Sequence, residues 1–212
     1  MKKLLFIFII FLIFCSKQST ENNVECYSFS FLEHLLALAK EAIIDHLENP
    51  TVFNFQEINY TDKERGLFIR IIKNGQERGC IGFLRGVSNL GEAAQIAAIN
   101  AAFFDSRFAP LKKNELKNLE LEITVIGKFI PLDDPYDFVL GQHSLLYNDH
   151  SHRGFLQAQI ALEKGYSKYE FLSALCKKAG LHLEAYKKKN APLFKADTIS
   201  LKLSLTEINN KK

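Results

Sequence analysis

Leu67-Phe68-Ile69-Arg70-Ile71-Ile72-Lys73-Asn74-Gly75-Gln76-Glu77-Arg78-Gly79-Cys80-Ile81-Gly82-Phe83-Leu84 is the stretch whose reading decides the fold. Leu67 to Ile72 is rich in β-branched residues and predicts a strand. Lys73-Asn74-Gly75-Gln76 predicts a tight turn, because Asn-Gly accepts positive φ at little cost. Glu77 to Leu84 is then the return strand. Alternation puts Ile81 and Phe83 on one face and Arg78, Cys80, Gly82 and Leu84 on the other.

The neighbouring segments fit an antiparallel sheet with helices against it. Upstream, Ser30-Phe31-Leu32-Glu33 reads as a capping box. Leu32, Leu35, Leu36, Ala39, Ile43 and Leu47 follow at helical spacing, and Asn49-Pro50 ends the helix. Downstream, Ser88-Asn89 caps an alanine-rich helix from about Leu90 to Phe104, and Asp105 to Pro110 is a loop. Leu119 to Val125 alternates strictly, with Glu120, Glu122 and Thr124 on a face expected to meet solvent. Phe138 to Tyr147 and Phe155 onward read as short extended pieces around a polar turn. Ser167 and Glu170 form a capping box for a helix that runs to Lys178 and stops before Gly180. Ile199 to Leu205 is a last strand. The expected class is α+β, a largely antiparallel sheet with hairpins, flanked by helices.

The first 14 of 212 residues stand apart. Met1-Lys2-Lys3 precedes an unbroken apolar run from Leu4 to Phe14, the pattern of a signal peptide. That run is too short to cross about 30 Å of hydrocarbon as a helix. Cys15 follows directly, as in a bacterial lipoprotein box, and residues 15–29 then form a lipidated or polar tether. The alternative is an uncleaved hydrophobic anchor. Residues 30–206 are expected to be one domain, exported to the cell envelope and held at a membrane. The net charge is +3, and Lys2 and Lys3 supply two of those charges. The near-neutral body gives no reason to expect a nucleic-acid partner. With Cys15 lipidated, Cys26, Cys80 and Cys176 remain, an odd set that cannot all pair internally. A disulfide from Cys26 to Cys80 or to Cys176 stays open.

The candidate site centres on Cys80. Arg78 on the same strand face would lower the thiol pKa if close, and His143 is the candidate base. Gly79 and Gly82 offer room for a ligand to approach the backbone. Asp105 and Arg107 could hold an anion. The plainer reading makes Cys80 a small buried residue, Asp105 a cap for backbone amides and Arg107 a partner of Glu120 or Glu122. His150 and His152 lie in a polar turn, and no metal site is expected from them.

Several of these segments recur together in one order. They are Arg78-Gly79-Cys80-Ile81-Gly82, Ala101-Ala102, Asp105-Ser106-Arg107-Phe108, Pro110-Leu111, Glu115-Leu116, Gly141-Gln142-His143, Gly154-Phe155-Leu156, and Phe171-Leu172 through Cys176 to Leu181. In that order the chain resembles the AMMECR family, over about residues 30 to 200. It departs from the family at Tyr166 and Tyr186, where tryptophan is common, and at Gln157-Ala158-Gln159, where Leu-Pro-Gln is usual. The resemblance implies a compact α+β domain with a cleft near the Arg-Gly-Cys strand, no established reaction and no known cofactor. It also implies possible partners, a Memo-like protein and a radical S-adenosylmethionine enzyme. The expected function is a membrane-tethered domain that binds a ligand or partner. The alternative is a thiol-dependent modifying enzyme, or an accessory subunit of that system, with Cys80, Arg78 and His143 in catalytic roles.

Overall fold

The computed structural model describes residues 27–50, 65–86 and 89–208. The leader, Cys15, Cys26 and Ser88 lie outside the described residues.

The hairpin forms as its sequence requires. Strand β1 (Gly66–Lys73) returns as β2 (Gln76–Phe83). Asn74 and Gly75 both take positive φ, 52° and 76°, the conformation that matches the twist of the flanking strands. The register breaks once. Ile71 pairs with Gly79 but Ile72 pairs with Glu77, so Arg78 is a bulged residue. Arg78 therefore leaves the alternation that would have placed it beside Cys80.

Helix α1 (Phe29–Glu48) starts two residues earlier than its sequence suggests. Ser28, not Ser30, is the cap, and its side chain accepts from the amide of Phe31. Asn89 caps α2 (Leu90–Ile99), which continues as one π-helical turn over Asn100–Phe104. Strand β3 (Leu119–Ile126) follows a short 3-10 turn at Lys113–Asn118. Then come β4 (Ile130–Pro131), the hairpin of β5 (His143–Asn148) and β6 (Arg153–Leu156), helices α3 (Ala158–Lys164) and α4 (Lys168–Lys178), and the long β7 (Leu193–Ser204). Ser167 and Glu170 make the expected reciprocal cap, and Gly180 takes φ 75° just past α4.

All strand pairs are antiparallel, in the order β2-β1-β3-β7-β5-β6, with β4 also on β7. Strand β7 serves two partners in turn. Leu193 to Asp197 pairs with β5, and Thr198 to Ser204 pairs with β3. The sheet therefore bends along β7 into two four-stranded halves. Each half has its own apolar core. One is built from α1, α2, β1, β3 and the second part of β7, and the other from β5, β6, α3, α4 and Tyr186.

The face of β3 expected to meet solvent does not. Glu122 and Thr124 are buried, because α3 and β6 of the second half fold over that side of the first. Phe68 of β1 stacks on Phe155 of β6 with ring centroids 5.2 Å apart, an ordinary separation for an aromatic pair. Alternation in β3 is real, but a second layer covers its polar side.

Candidate functional site

Strand β2 is the outer edge of the first half, and an unguarded edge offers backbone groups to any other strand. The π-turn at the end of α2 closes this one. A Cβ on Gly79 would stand 2.1 Å from the carbonyl oxygen of Ala101, and one on Gly82 2.2 Å from that of Leu67. The room these glycines release is filled by the protein's own backbone. Glycine at 79 lets the π-turn press against β2, and the chain leaving that turn delivers Asp105.

Asp105 is buried and serves the strand edge. Its Oδ2 accepts from the Cys80 amide at 2.9 Å. Its carboxylate also takes Arg107, at 3.0 Å to Nε and 2.7 Å to Nη2. Arg107 then reaches Glu77 Oε1 at 2.6 Å and the Cys80 carbonyl at 3.4 Å. Both backbone groups of Cys80 are thereby engaged. The expected Arg107 pairing with Glu120 or Glu122 does not form, because the π-turn directs Arg107 along the sheet edge rather than across its face. The Arg107 hydrogen bonds push Asp105 down to about 2.

Arg78 belongs to a second cluster. Bulged out of register, it donates to Glu115 through Nε and Nη2 at 3.2 Å each, and to the Ala109 carbonyl at 2.7 Å. Glu115 also takes Lys73 at 2.8 Å. Its carboxyl is held down to about 2, chiefly by the Arg78 hydrogen bond. Phe108 lies beneath both guanidinium groups, 5.8 Å from Arg78 and 5.2 Å from Arg107. Arg78 is thus not the group that tunes Cys80.

Cys80 is a free, half-buried thiol. Burial pushes it up to about 12, and Glu77 adds to the rise. Arg70, Arg107 and Lys178 pull the other way. His143 does not join it. The sheet order places β1, β3 and β7 between their strands. The Val139 amide donates to His143 Nδ1 at 2.8 Å, and His143 Nε2 faces Asp197 Oδ1 at 3.2 Å. Both ring nitrogens are occupied locally. The other free thiol among the described residues, Cys176, is in the second core, raised by burial. His152 turns to Asp149 at 3.2 Å in the polar turn.

The sequence reading missed the groups that lie across the sheet from Cys80. Register aligns Cys80 with Arg70, Arg70 with Glu122, and Glu122 with Lys202. Arg70 and Glu122 are both buried, with Nε to Oε2 at 2.7 Å. Glu163 of α3 completes a bidentate pair with Arg70. Gln159 of α3 donates to Glu122 at 3.2 Å and to Thr124 at 2.8 Å. Burial raises the pKa of Glu122 against the pull of Arg70. One signal was available: an arginine inside an apolar strand needs a buried partner somewhere. Lys178, in the last turn of α4, feels Cys80, Glu77 and Arg107; although exposed, it is crowded by protein atoms, and that desolvation lowers its pKa.

Comparison with known proteins gives one family. Residues 36–199 match the family model AMMECR1. A protein of Methanocella arvoryzae is 31% identical over 163 residues, covering 74% of this chain and 82% of its own length. One from Methanopyrus kandleri is 34% identical over 161 residues, covering 70% and 77%. Among solved structures, an uncharacterized protein of Pyrococcus horikoshii superposes with a TM-score of 0.75 at 26% identity, covering 82% of this chain and 91% of that one.

Proposed function

Because the chain belongs to the AMMECR1 family, we propose that its domain binds a ligand or partner at the Cys80 edge rather than turning over a substrate there. The observation that supports this is the commitment of Asp105, Arg107 and Glu77, the polar groups bonded around the Cys80 backbone. Asp105, Arg107 and Glu77 hold one another and the Cys80 backbone. The named base, His143, is held by Val139 and Asp197. A thiol raised to about 12 keeps its proton at neutral pH and is a poor nucleophile. It remains a small, polarizable surface beside a charged clamp, suited to recognition. The test is a screen for turnover with purified protein beside a Cys80→Ser variant. Activity on any substrate that vanishes in the variant would remove the binding reading.

The thiol-dependent reading has one observation in its favour. Arg70, Arg107 and Lys178 all lower the thiol pKa, so a ligand that neutralised Glu77 would shift the balance toward thiolate. From the sequence alone we also propose that residues 1–14 direct export and that Cys15 carries lipid, and from the family resemblance that Memo-like and radical S-adenosylmethionine proteins are partners. No helix among the described residues is long and apolar enough to cross a membrane. Mass spectrometry of the mature N-terminus tests the lipid, since an intact Met1 would exclude cleavage before a lipidated Cys15.

A further inference from the structure

Two carboxylates converge on one buried guanidinium where α3 meets the sheet, and they differ in kind. Glu122 is walled in beside Arg70, at 2.7 Å and with side-chain exposures of 7% and 8%. That pair is already neutral and enclosed, the arrangement a buried charge needs. The outer fork of Arg70 faces α3. It is filled by Glu163, with Nη1 donating to Oε2 at 2.9 Å and Nη2 donating to Oε1. Glu163 reaches in from solvent, its side chain 39% exposed. Lys202 and Lys164 also attract its carboxylate, so it has other partners when it leaves the fork.

Gln159, one turn earlier on the same helix, supplies a second feature. Its amide nitrogen donates to Glu122 Oε2, Thr124 and Gln157 at 3.2, 2.8 and 3.0 Å. That fixes the amide orientation and leaves Oε1 buried without a hydrogen-bond partner. Buried acceptors almost always have a donor. The nitrogen of the same amide meets the Glu122 oxygen that Arg70 Nε also meets, which places this side chain beside the Arg70 cluster.

We propose that Arg70 is a binding site for a small organic acid, with Glu163 as its built-in competitor. The ligand carboxylate replaces Glu163 on the guanidinium fork, where planar two-point geometry selects carboxylate over a point charge. A hydroxyl or N–H next to that carboxylate donates to Gln159 Oε1. Glu163 moves out toward Lys202 and Lys164. The proposal goes beyond the Cys80 reading and stands independently of it, although Cys80 is the cross-strand neighbour of Arg70.

Removing the competitor exposes the site to titration. Purified Glu163→Ala is melted in increasing sodium acetate, sodium lactate, sodium chloride and sodium sulfate at matched ionic strength. Acetate and lactate are expected to raise its melting temperature along saturating curves, whereas sulfate, a general stabiliser excluded from protein surfaces, raises it without saturation. Lactate, which carries the adjacent hydroxyl, should reach half effect at a concentration at least about tenfold below acetate. Wild type should need about tenfold more of either acid, because Glu163 competes. Adding Gln159→Leu to the variant should erase the preference for lactate over acetate. If Glu163→Ala does not fold, the same titration is read on Glu163→Gln, which keeps the packing. A folded variant whose melting point follows ionic strength alone, or that climbs with acetate and lactate without saturation as it does with sulfate, overturns the proposal. Adding Cys80→Ser should leave the titration unchanged, so failure here and failure of the Cys80 reading are separate results.

Discussion

Across the first half of the sheet the registered row reads Cys80, Arg70, Glu122, Lys202; across the second it reads Phe155, Leu146, Phe194, Pro131. Each row begins on the return strand of a hairpin, one residue after an Arg-Gly step. Each of those glycines is pressed by a helical segment that follows it. Gly79 meets the Ala101 carbonyl, and Gly154 meets the Leu175 carbonyl and Ala179. One backbone plan thus carries a charged row and an apolar row. The charged row survives because the second half covers it: α3 supplies Glu163 and Gln159, and Phe155 stacks on Phe68. Packing geometry repeats between the halves, and chemistry does not. That asymmetry is what sets the first half apart.

The comparison breaks most severely if the charged row is made to copy the apolar one. Arg70→Leu installs the residue found at position 146 and leaves Glu122 buried without its partner. Orphaning one member of a buried pair costs about 3–5 kcal/mol. Urea denaturation should show that loss, and the double change Arg70→Leu with Glu122→Leu should recover at least half of it. If the single change costs no more than an exposed-site substitution, the row is not the buried ion pair described.

Next in size are the two glycines, which test whether the shared plan is real. Alanine at 79 puts a Cβ 2.1 Å from a backbone oxygen, and alanine at 154 puts one 2.7 Å from another. Neither obstacle is a flexible side chain. Overpacking of this kind costs about 1–3 kcal/mol, with Gly79→Ala at the upper end and Gly154→Ala below it. Equal melting temperatures for both variants and wild type would dissolve the comparison.

Asp105 has no counterpart on the second return strand, and its effect depends on pH. Its carboxyl is held near 2 in the folded state, against 3.8 ordinarily. A depressed carboxyl stabilises fully above its unfolded pKa, and that stability is lost as pH falls through the folded value. Asp105→Asn should therefore cost about 1–2 kcal/mol at neutral pH, allowing for the solvent around Arg107. It should also flatten the acid limb between about pH 4 and 2. Glu115, likewise held near 2, accounts for part of the remaining limb.

Local signals made much of this fold legible. Asn74-Gly75, the Ser167–Glu170 cap, Gly180 and the alternation of β3 each follow from chemistry within a few residues. Arg78 was misplaced because a bulge shifts register by one residue, and alternation carries no trace of that. Arg70 signalled a buried partner, but the Arg70, Glu122, Glu163 and Gln159 cluster could not be assembled from sequence for another reason. Its members come from two strands and a helix, separated by 93 positions between Arg70 and Glu163. Only the burial of the second face of β3 brings them together. Clean alternation there argued for solvent, since a one-layer reading has no means of anticipating α3. Asp105 was legible as a cap for backbone amides, but its pairing with Arg107, and that of Arg107 with Glu77, depended on the π-turn.

The smallest expected change concerns Cys80 itself, where the two return strands differ by a thiol and a ring. Cys80→Ala at neutral pH should alter stability by less than about 1 kcal/mol, since the Asp105 contact is made by the backbone amide and is kept. The contribution of the thiol appears at high pH instead. A thiol that titrates near 9 unfolded and about 12 folded holds its proton more tightly in the native state. Such a group stabilises below its unfolded pKa and loses that contribution as pH rises through the folded one. Wild type should therefore lose more stability between about pH 9 and 12 than Cys80→Ala does. Alkylation of the native protein by iodoacetamide should be slow at neutral pH and rise about tenfold per pH unit, because thiolate is the reacting form. A native Cys80 that alkylates at the rate of an exposed cysteine would mean that Arg70, Arg107 and Lys178 outweigh burial. The charged row would then activate the thiol rather than enclose it, and the thiol-dependent reading would replace the binding one.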